Sequence, residues 1–484
     1  MENTMPIRAA PYQHQREAYD FALRLFGASE GGDAAPVSKG CFYLMDMGTG
    51  KTLTSIAVMG TLYQRGLIGR VLVVAPLSIT GVWEAEINRF ADFDCNLAVL
   101  SGTLAKKADT LRHLTSSVLQ YCQPLQVAVV NYESCWRLEK EISAWKPDLI
   151  IADESHKIKT HNTAASKALH RLGASAKYKL ALTGTPVTNK ALDVFSQFKF
   201  LNPSVFGNSF YSFRNRYFSM TGYGNHTPVL KRTMEPELTR KIHSISYRAT
   251  KAECLDLPPY TDVTIGVDLE PAAAKLYREL VKDSYTQLGS EDVSATNILT
   301  RLLRLSQLTG GFLSSDENAK PQPVSAAKLN ALADLIETAQ ESGQKMVVIA
   351  RFIPEITAIK ALLEKRGIGY SAISGETKDR SEQVRRFQEE PDVTVFVGQI
   401  STAGLGITLT AASTLVFYST NYSMSDYEQT RARIHRVGQI SHCTYYHIIA
   451  KSTVDEKVLK ALGDKADLAK TLIDDYRDGM NPFQ

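Results

Sequence analysis

No two of the six cysteines stand in a C-x-x-C arrangement; Cys41, Cys95, Cys122, Cys135, Cys254 and Cys443 are scattered along the chain. That spacing argues against a thiolate zinc site and against a disulfide framework, and fits a reducing compartment. Long apolar runs are missing too, and no stretch approaches the length of a membrane span. The opening residues, MENTMPIRAAPYQHQ, lack the apolar core of a secretory signal, and no dense Lys/Arg block reads as a nuclear address. These absences lead us to expect a cytoplasmic protein that is not secreted and makes no membrane contact. An excess of one charge is also missing. With 55 Lys+Arg against 51 Asp+Glu, the net charge is only +4. Such a balance does not announce a nucleic-acid binder, so any surface of that kind has to be locally basic.

What is present is ordinary for a globular chain: 484 residues, 44% hydrophobic and 22% charged. At roughly 100–200 residues per domain this allows two to four domains. Short β-branched runs recur in the first part: VLVVAP (Val71–Pro76), VAVVN (Val127–Asn131), DLIIADE (Asp148–Glu154) and YKLALTGTP (Tyr178–Pro186). Near-continuous hydrophobicity without alternation suits strands buried on both faces of a parallel sheet, and segments such as LTSIAVMGTLYQRG read as crossover helices. From about Asn202 to Val324 the pattern lapses, DVTIGVDL (Asp262–Leu269) being the one strand-like run. That zone is aromatic, basic and helix-like, with breaks at LPPY and at the polar SSDENAKPQPVS (Ser314–Ser325), the better linker candidate. The βα pattern resumes with KMVVIA, TVFVGQ, TLVFYS and YYHIIA. The expected fold is α/β, with two parallel-sheet lobes and a helical insertion between them. The boundaries are 1–201 for the first lobe, 202–324 for the protrusion and linker, 325–453 for the second lobe and 454–484 for a helical tail.

Four motifs carry chemistry. DMGTGKTLTSI follows the apolar CFYLM and has the form of a phosphate loop. Gly48, Thr49 and Gly50 would let backbone N–H groups close around phosphate oxygens, with a helix N-terminus behind them. Lys51 would meet the β- and γ-phosphates, and Thr52 would offer its hydroxyl to Mg2+. The strict pattern asks for glycine where this chain has Met45. In DLIIADESHKIK a strand ends in two carboxylates: Asp153 is suited to hold the metal, and Glu154 to orient the attacking water. LTGTP places Thr183 and Thr185 at another strand end, where they would sense the nucleotide state. Read alone, LTGTP is a plain strand-to-turn exit. QTRARIHRVGQ (Gln429–Gln439) has three arginines, a histidine and no acid. Its anion is a nucleotide phosphate, a nucleic-acid backbone, or nothing beyond solvent on a charged helix face.

Taken in order, GTGKT, VVAPLSITGVW, VVNYE, DESHKIK, LTGTP, STAGLGITLT and QTRARIHRVGQ resemble the superfamily-two helicase-like ATPases, and more narrowly the Swi/Snf-type DNA translocases. The Asp-Glu-Ser-His box, FKFLNPSVFG after the third motif, and YYHIIAKSTVDEKVL after the last one carry the narrower likeness. It runs from Tyr12-Gln13 to about Leu459. The resemblance implies RecA-like lobes, ATP with Mg2+, and the minimal engine of bacterial and viral members. It places Gln13 against adenine, His156 and Gln429 at the nucleotide, and Arg433 and Arg436 as arginine fingers on the γ-phosphate. Arg431 falls outside the family pattern and is expected to be solvated.

The resemblance further implies that the polymer lies across both lobes. Backbone contacts would come from Pro76, Leu77 and Ser78, from Asn131 and Tyr132, from Arg351, and from Thr402, Gly404 and Gly406. Each is also a simple turn after a strand. Ala403 and Thr408 stand where the family more often has glycine and asparagine, and Tyr422-Ser423-Met424 replaces a usual Trp-Asn-Pro. The branch is divergent and its substrate preference stays open. The expected activity is movement along double-stranded DNA, with single-stranded or branched DNA as further possibilities. Two alternatives stand: a strand-separating or branch-migrating helicase, and a DNA-binding ATP switch that does not move. In FGNSFYSFRNRYF, Phe206, Phe210, Phe213 and Tyr217 read as the core of the protrusion, with the arginines outside. RATKAECLDLPPY (Arg248–Tyr260) resembles the bridge between protrusion and second lobe and is expected to couple them.

Overall fold

A computed structural model of the protein describes residues 5–29, 32–33, 35–116, 124–184, 191–221, 227–254, 257–290, 295–313, 321–375, 377, 379–400 and 407–464. The chain forms two compact units, Met1–Asp256 and Leu257–Gln484.

The first unit is built on seven strands: β1 (Gly40–Met45), β2 (Arg70–Ala75), β3 (Cys95–Val99), β4 (Leu125–Asn131), β5 (Leu149–Asp153), β6 (Tyr178–Thr183) and β7 (Ser246–Ala249). Their spatial order is β7-β1-β6-β5-β2-β4-β3, and every neighbouring pair is parallel. β1, β4, β5 and β6 are buried at every position, as expected of strands covered on both faces by crossover helices. Among those helices are Lys51–Gln64 and Thr80–Phe90. A parallel sheet gathers all its C-terminal strand ends on one edge, which is where ligands of open α/β sheets bind. The register keeps these ends level. Ala75 pairs with Asn131, Val74 with Ala152, Asp153 with Leu182, and Leu44 with Thr183.

The second unit holds six parallel strands: β8 (Tyr260–Val267), β9 (Lys345–Ala350), β10 (Gly369–Ile373), β11 (Val393–Gln399), β12 (Ala412–Phe417) and β13 (Cys443–Ala450), ordered β8-β13-β12-β9-β11-β10. The α/β reading with two parallel sheets is therefore what the molecule has.

The 202–324 stretch gives an edge strand to each sheet. β8 is the run visible in the sequence. β7 is not visible there, because it has four residues and only its two ends are buried. The protrusion helix Phe210–Tyr217 packs as expected: Phe206, Phe213 and Tyr217 are buried with ring centroids 5.1–5.8 Å apart, and Phe210 packs against Phe195 at 5.6 Å. Of the polar break at Ser314–Ser325, residues 314–320 lie outside the described ones, while Gln322–Pro323 pairs with Phe312–Leu313. The tail begins as a helix, Val454–Gly463, and residues 465–484 lie outside the described ones. Among the described residues no helix is long and apolar enough to cross a membrane.

Candidate functional site

The end of β1 runs into the glycine loop. Gly48 (φ 85°) and Gly50 (φ 91°) occupy the left-handed region, where a Cβ is costly. A Cβ on Gly50 would also come 2.1 Å from Gln15 Nε2. Thr49 is fully buried, and its hydroxyl donates to Asp46 O at 2.7 Å. The helix Lys51–Gln64 starts at Gly50 with no side-chain cap and no acidic residue in its first turn. Its N-terminal N–H groups and dipole therefore favour an anion. Lys51 Nζ donates to Met45 O at 2.8 Å and Asp46 O at 3.2 Å, folded back along its own loop. Thr52 is half-buried on the first turn.

At the end of β5, Asp153 and Glu154 are both buried. Asp153 Oδ2 accepts the Trp83 indole N–H at 2.8 Å, and Asp153 Oδ1 accepts the Glu154 N–H at 2.8 Å. Burial, followed by the neighbouring Glu154, pushes the Asp153 carboxyl up to about 6; Trp83, Lys51 and the Glu154 N–H pull the other way. Glu154 Oε2 lies 3.3 Å from His156 Nδ1. Ser155 Oγ donates to Gln197 Oε1 at 2.8 Å, tying the box to the helix Val194–Leu201. Thr183 is buried at the end of β6; Thr185 lies outside the described residues. The structure thus brings Gly48–Thr52, Asp153, Glu154, His156 and Thr183 to one sheet edge.

Gln13 is exposed at the start of the helix Gln13–Phe26 and donates to Glu17 at 2.9 Å. Its neighbours hold the loop, and the sequence reading gave them no role. His14 Nε2 lies 2.8 Å from Thr49 O, and Gln15 Nε2 donates to the same oxygen at 3.0 Å. Their signal is faint, since both sit beside the glutamine that the motif singles out. Asp46 also reaches the far end of the unit: it donates its N–H to Ala249 O at 2.9 Å, and its Oδ2 accepts Lys251 N–H at 3.0 Å. This fastens the glycine loop to the start of the segment read as a coupling element.

Two candidate polymer-contacting segments leave the same edge. Pro76 precedes a turn at Leu77–Ile79, with Leu77 69% exposed, and Asn131 ends β4. The Tyr132 side chain points inward, 4% exposed, with its hydroxyl on Asp153 O at 2.7 Å, so only its backbone can face a polymer.

In the second unit, the helix Met424–Arg431 leads into the arginine segment. Gln429 Nε2 donates to Ser425 Oγ at 3.2 Å. Arg433 is buried, lining a small cavity with Ile349, Ile373, Leu409 and Leu415; Arg436 is half-buried, with Nη1 3.5 Å from Ile407 O. The Gln439 amide donates to Ala412 O at 2.8 Å and Ile434 O at 3.1 Å, closing the segment onto the sheet. His435 Nε2 lies 2.8 Å from Pro258 O, just ahead of β8. The expectation that Arg431 is solvated is corrected. Its side chain is 14% exposed, donates to Asp262 Oδ2 at 3.0 Å and lies 4.2 Å from the Tyr445 ring. Tyr260 and Tyr427 add two more aromatic faces, so cation–π attraction and an ion pair replace hydration. Arg351 stacks its guanidinium 4.2 Å over the Tyr422 ring. Thr402, Gly404 and Gly406 lie outside the described residues.

The family model for the SNF2-related domain matches residues 14–310, and that for the helicase conserved C-terminal domain matches residues 327–438. The chain belongs to the SNF2-related family of helicase-like ATPases. This SNF2-related chain is 24% identical over 91% of its length to chromodomain-helicase-DNA-binding protein 1-like of Danio rerio, and 25% identical over 90% to the DNA repair and recombination protein RDH54 of Saccharomyces cerevisiae. It is 27% identical over 89% to an uncharacterized ATP-dependent helicase, MG018, of Mycoplasma genitalium. It spans 42%, 51% and 40% of the length of these three relatives. Among solved structures, the Sulfolobus solfataricus SWI2/SNF2 ATPase core in complex with dsDNA is 25% identical, with a TM-score of 0.46 over 97% of this chain and 94% of that one.

Proposed function

We propose that the protein couples ATP hydrolysis to movement along double-stranded DNA. The observation that carries this reading is the gathering of Lys51, Asp153 and Glu154 at one edge of the first sheet, beside an uncapped helix N-terminus. The names of the relatives, which include a DNA-binding helicase and a DNA repair protein, support DNA as the polymer.

In this reading the triphosphate lies along the Gly48–Lys51 loop, and Lys51 leaves the Met45 and Asp46 carbonyls for the β- and γ-phosphates. Gln13 reads the adenine edge. Glu154 orients the attacking water, with His156 beside its carboxylate. Thr183 and Thr185 register the nucleotide state. Gln429 assists at the nucleotide, and Arg433 and Arg436 approach the γ-phosphate as charge develops on it. For Arg433 this requires leaving its buried position. The polymer rests on Pro76–Ser78, Asn131 and the Tyr132 backbone in the first unit, and on Arg351 and the 402–406 stretch in the second.

Mg2+ fits the residues present. Among the described residues no group of three or more His, Cys, Asp and Glu is placed to hold a metal ion by itself. Mg2+ asks for less than that: one or two protein groups, water and substrate phosphates. Thr52 and Asp153 would hold it, and the buried Asp153–Glu154 pair, one carboxyl already pushed up in pKa, is a place where a divalent cation relieves repulsion. When bound, the ion neutralises phosphate charge in the transition state.

The test is ATP turnover measured against duplex DNA, single-stranded DNA and RNA, together with displacement of a third strand from a triplex. Stimulation by duplex and clearance of the triplex support the reading. Unwinding of a forked duplex would make the protein a strand-separating helicase, and stimulated turnover without displacement a stationary switch.

A further inference from the structure

The turn that carries Asp153 and Glu154 is held by two side chains from outside the nucleotide motifs. Trp83 donates its indole N–H to the Asp153 carboxylate at 2.8 Å, and Tyr132 donates its hydroxyl to the Asp153 carbonyl at 2.7 Å. All three residues are buried. The carbonyl that Tyr132 grips belongs to the peptide joining Asp153 to Glu154. Rotation of that peptide sets the backbone of Glu154, which stands at φ 49° and ψ 51°. A non-glycine residue persists in the left-handed region only where its surroundings hold it. The Trp83 bond fixes one carboxylate oxygen, and the Glu154 N–H fixes the other. Both donors therefore act on one strained turn.

The origin of the donors gives the arrangement its meaning. Trp83 lies on the helix Thr80–Phe90, one turn beyond the Leu77–Ile79 segment at the end of β2. Tyr132 is the first residue of the helix that follows Asn131 at the end of β4. β2 lies between β5 and β4 in the sheet. The helix that continues one polymer-assigned segment and the residue that closes the other thus each send one buried hydrogen bond to the same acidic residue. A phenylalanine would fill the Trp83 site with apolar surface alone; the indole adds a donor, and the group it meets is the carboxylate proposed for the metal.

We propose that Trp83 and Tyr132 are positioning residues that transmit occupancy of the 76–79 and 131–132 segments to the Asp153–Glu154 turn, so that seated duplex DNA sets the carboxylate that holds the metal and the one that orients water. The proposal rests on the functional reading above.

The test uses the full chain with Trp83→Phe, Tyr132→Phe and the double variant, each keeping an aromatic ring and dropping a donor. Hydrogen bonds to charged groups are among the stronger ones, so kcat on saturating duplex DNA is expected to fall about tenfold in Trp83→Phe, with KM for ATP and duplex affinity held within about twofold. The double variant is expected to lose less than the product of the single losses, because both bonds act on one turn. A second readout is independent of turnover. In the ADP-bound chain, Mg2+ is titrated and tryptophan fluorescence followed. The parent is expected to show a change, and Tyr132→Phe, which keeps Trp83 as the reporter, to need several-fold more Mg2+ for the same change. Parental kcat in both single variants with a parental Mg2+ midpoint in Tyr132→Phe would overturn the proposal, as would losses that merely follow the fraction melted. A parent chain whose turnover ignores DNA would instead sink the functional reading, and the Mg2+ titration would then decide the positioning role alone.

Discussion

Arg431 and Asp262 form an ion pair at 3.0 Å that joins the end of the helix Met424–Arg431 to the edge strand β8. Asp262 Oδ1 also lies 3.1 Å from His447 Nε2, and the Arg431 carbonyl accepts the Tyr445 hydroxyl at 3.1 Å. The pair therefore anchors the stretch from which Arg433 and Arg436 arise. Arg431→Ala removes a charge-assisted hydrogen bond and three aromatic contacts, and is expected to destabilise the second unit by on the order of 2 kcal/mol. Thermal denaturation of the parent and variant measures this; an unchanged midpoint would mean that the pair contributes nothing net.

The two arginines differ in their surroundings, and so should their variants. Arg436 is half-buried, so Arg436→Ala is expected to cost turnover by about a thousandfold while leaving stability within about 0.5 kcal/mol. Arg433 is buried, so Arg433→Ala is expected to lower both turnover and the thermal midpoint. Steady-state ATPase rates paired with melting curves separate the two effects.

The glutamines near the N-terminus are predicted to part in the same way. Gln15→Ala removes a donor from the buried Thr49 carbonyl and is expected to cost about 1–2 kcal/mol of stability together with nucleotide affinity. Gln13→Ala touches only an exposed bond to Glu17, and is expected to raise the KM for ATP and to weaken the preference for ATP over GTP without moving the melting point. Gly50→Ala is expected to abolish nucleotide binding, because the backbone is left-handed there and the new methyl meets Gln15. Binding of a fluorescent nucleotide analogue reads all three.

A pH effect follows from Glu355, which is fully buried in the second unit. Its carboxylate accepts N–H groups from Arg351 and Phe352 and the Ser419 hydroxyl, yet burial outweighs them and pushes its pKa up to about 7, from an ordinary 4.5. Below 4.5 the group is protonated both folded and unfolded, and its contribution is fully present. As pH rises through 7 that contribution is lost, amounting to roughly 3 kcal/mol. Glu355→Gln keeps the acceptor and cannot ionise, so its unfolding free energy should lack this part of the slope between pH 4.5 and 7. Urea unfolding at several pH values, followed in the second unit, checks it.

How much of this was legible in the sequence follows from what each feature depends on. The central strands and the glycine loop depend on short runs of one residue type, and RVLVVA, LIIAD and GTGKT carry that locally. Family likeness located the arginine segment. Three things could not be read off. β7 is too short and too exposed at its middle to make an apolar run. The burial of Arg431 depends on Tyr260, Asp262 and Tyr445, which are remote in sequence and meet only in the fold. Trp83 and Tyr132 stood inside the quoted motifs, but that they converge on Asp153 depends on β2 lying between β4 and β5, a strand order that no local pattern encodes.

The central claim is that Glu154 drives hydrolysis of an ATP held by Lys51 and that duplex DNA stimulates this step. The most direct test compares single-turnover ATP cleavage by the parent and Glu154→Gln, with and without duplex DNA. The account predicts cleavage by the parent that rises with duplex, and a variant that binds ATP with unchanged affinity but cleaves it at least about a thousandfold more slowly under either condition. A Glu154→Gln protein that cleaves ATP at the parental rate would contradict it.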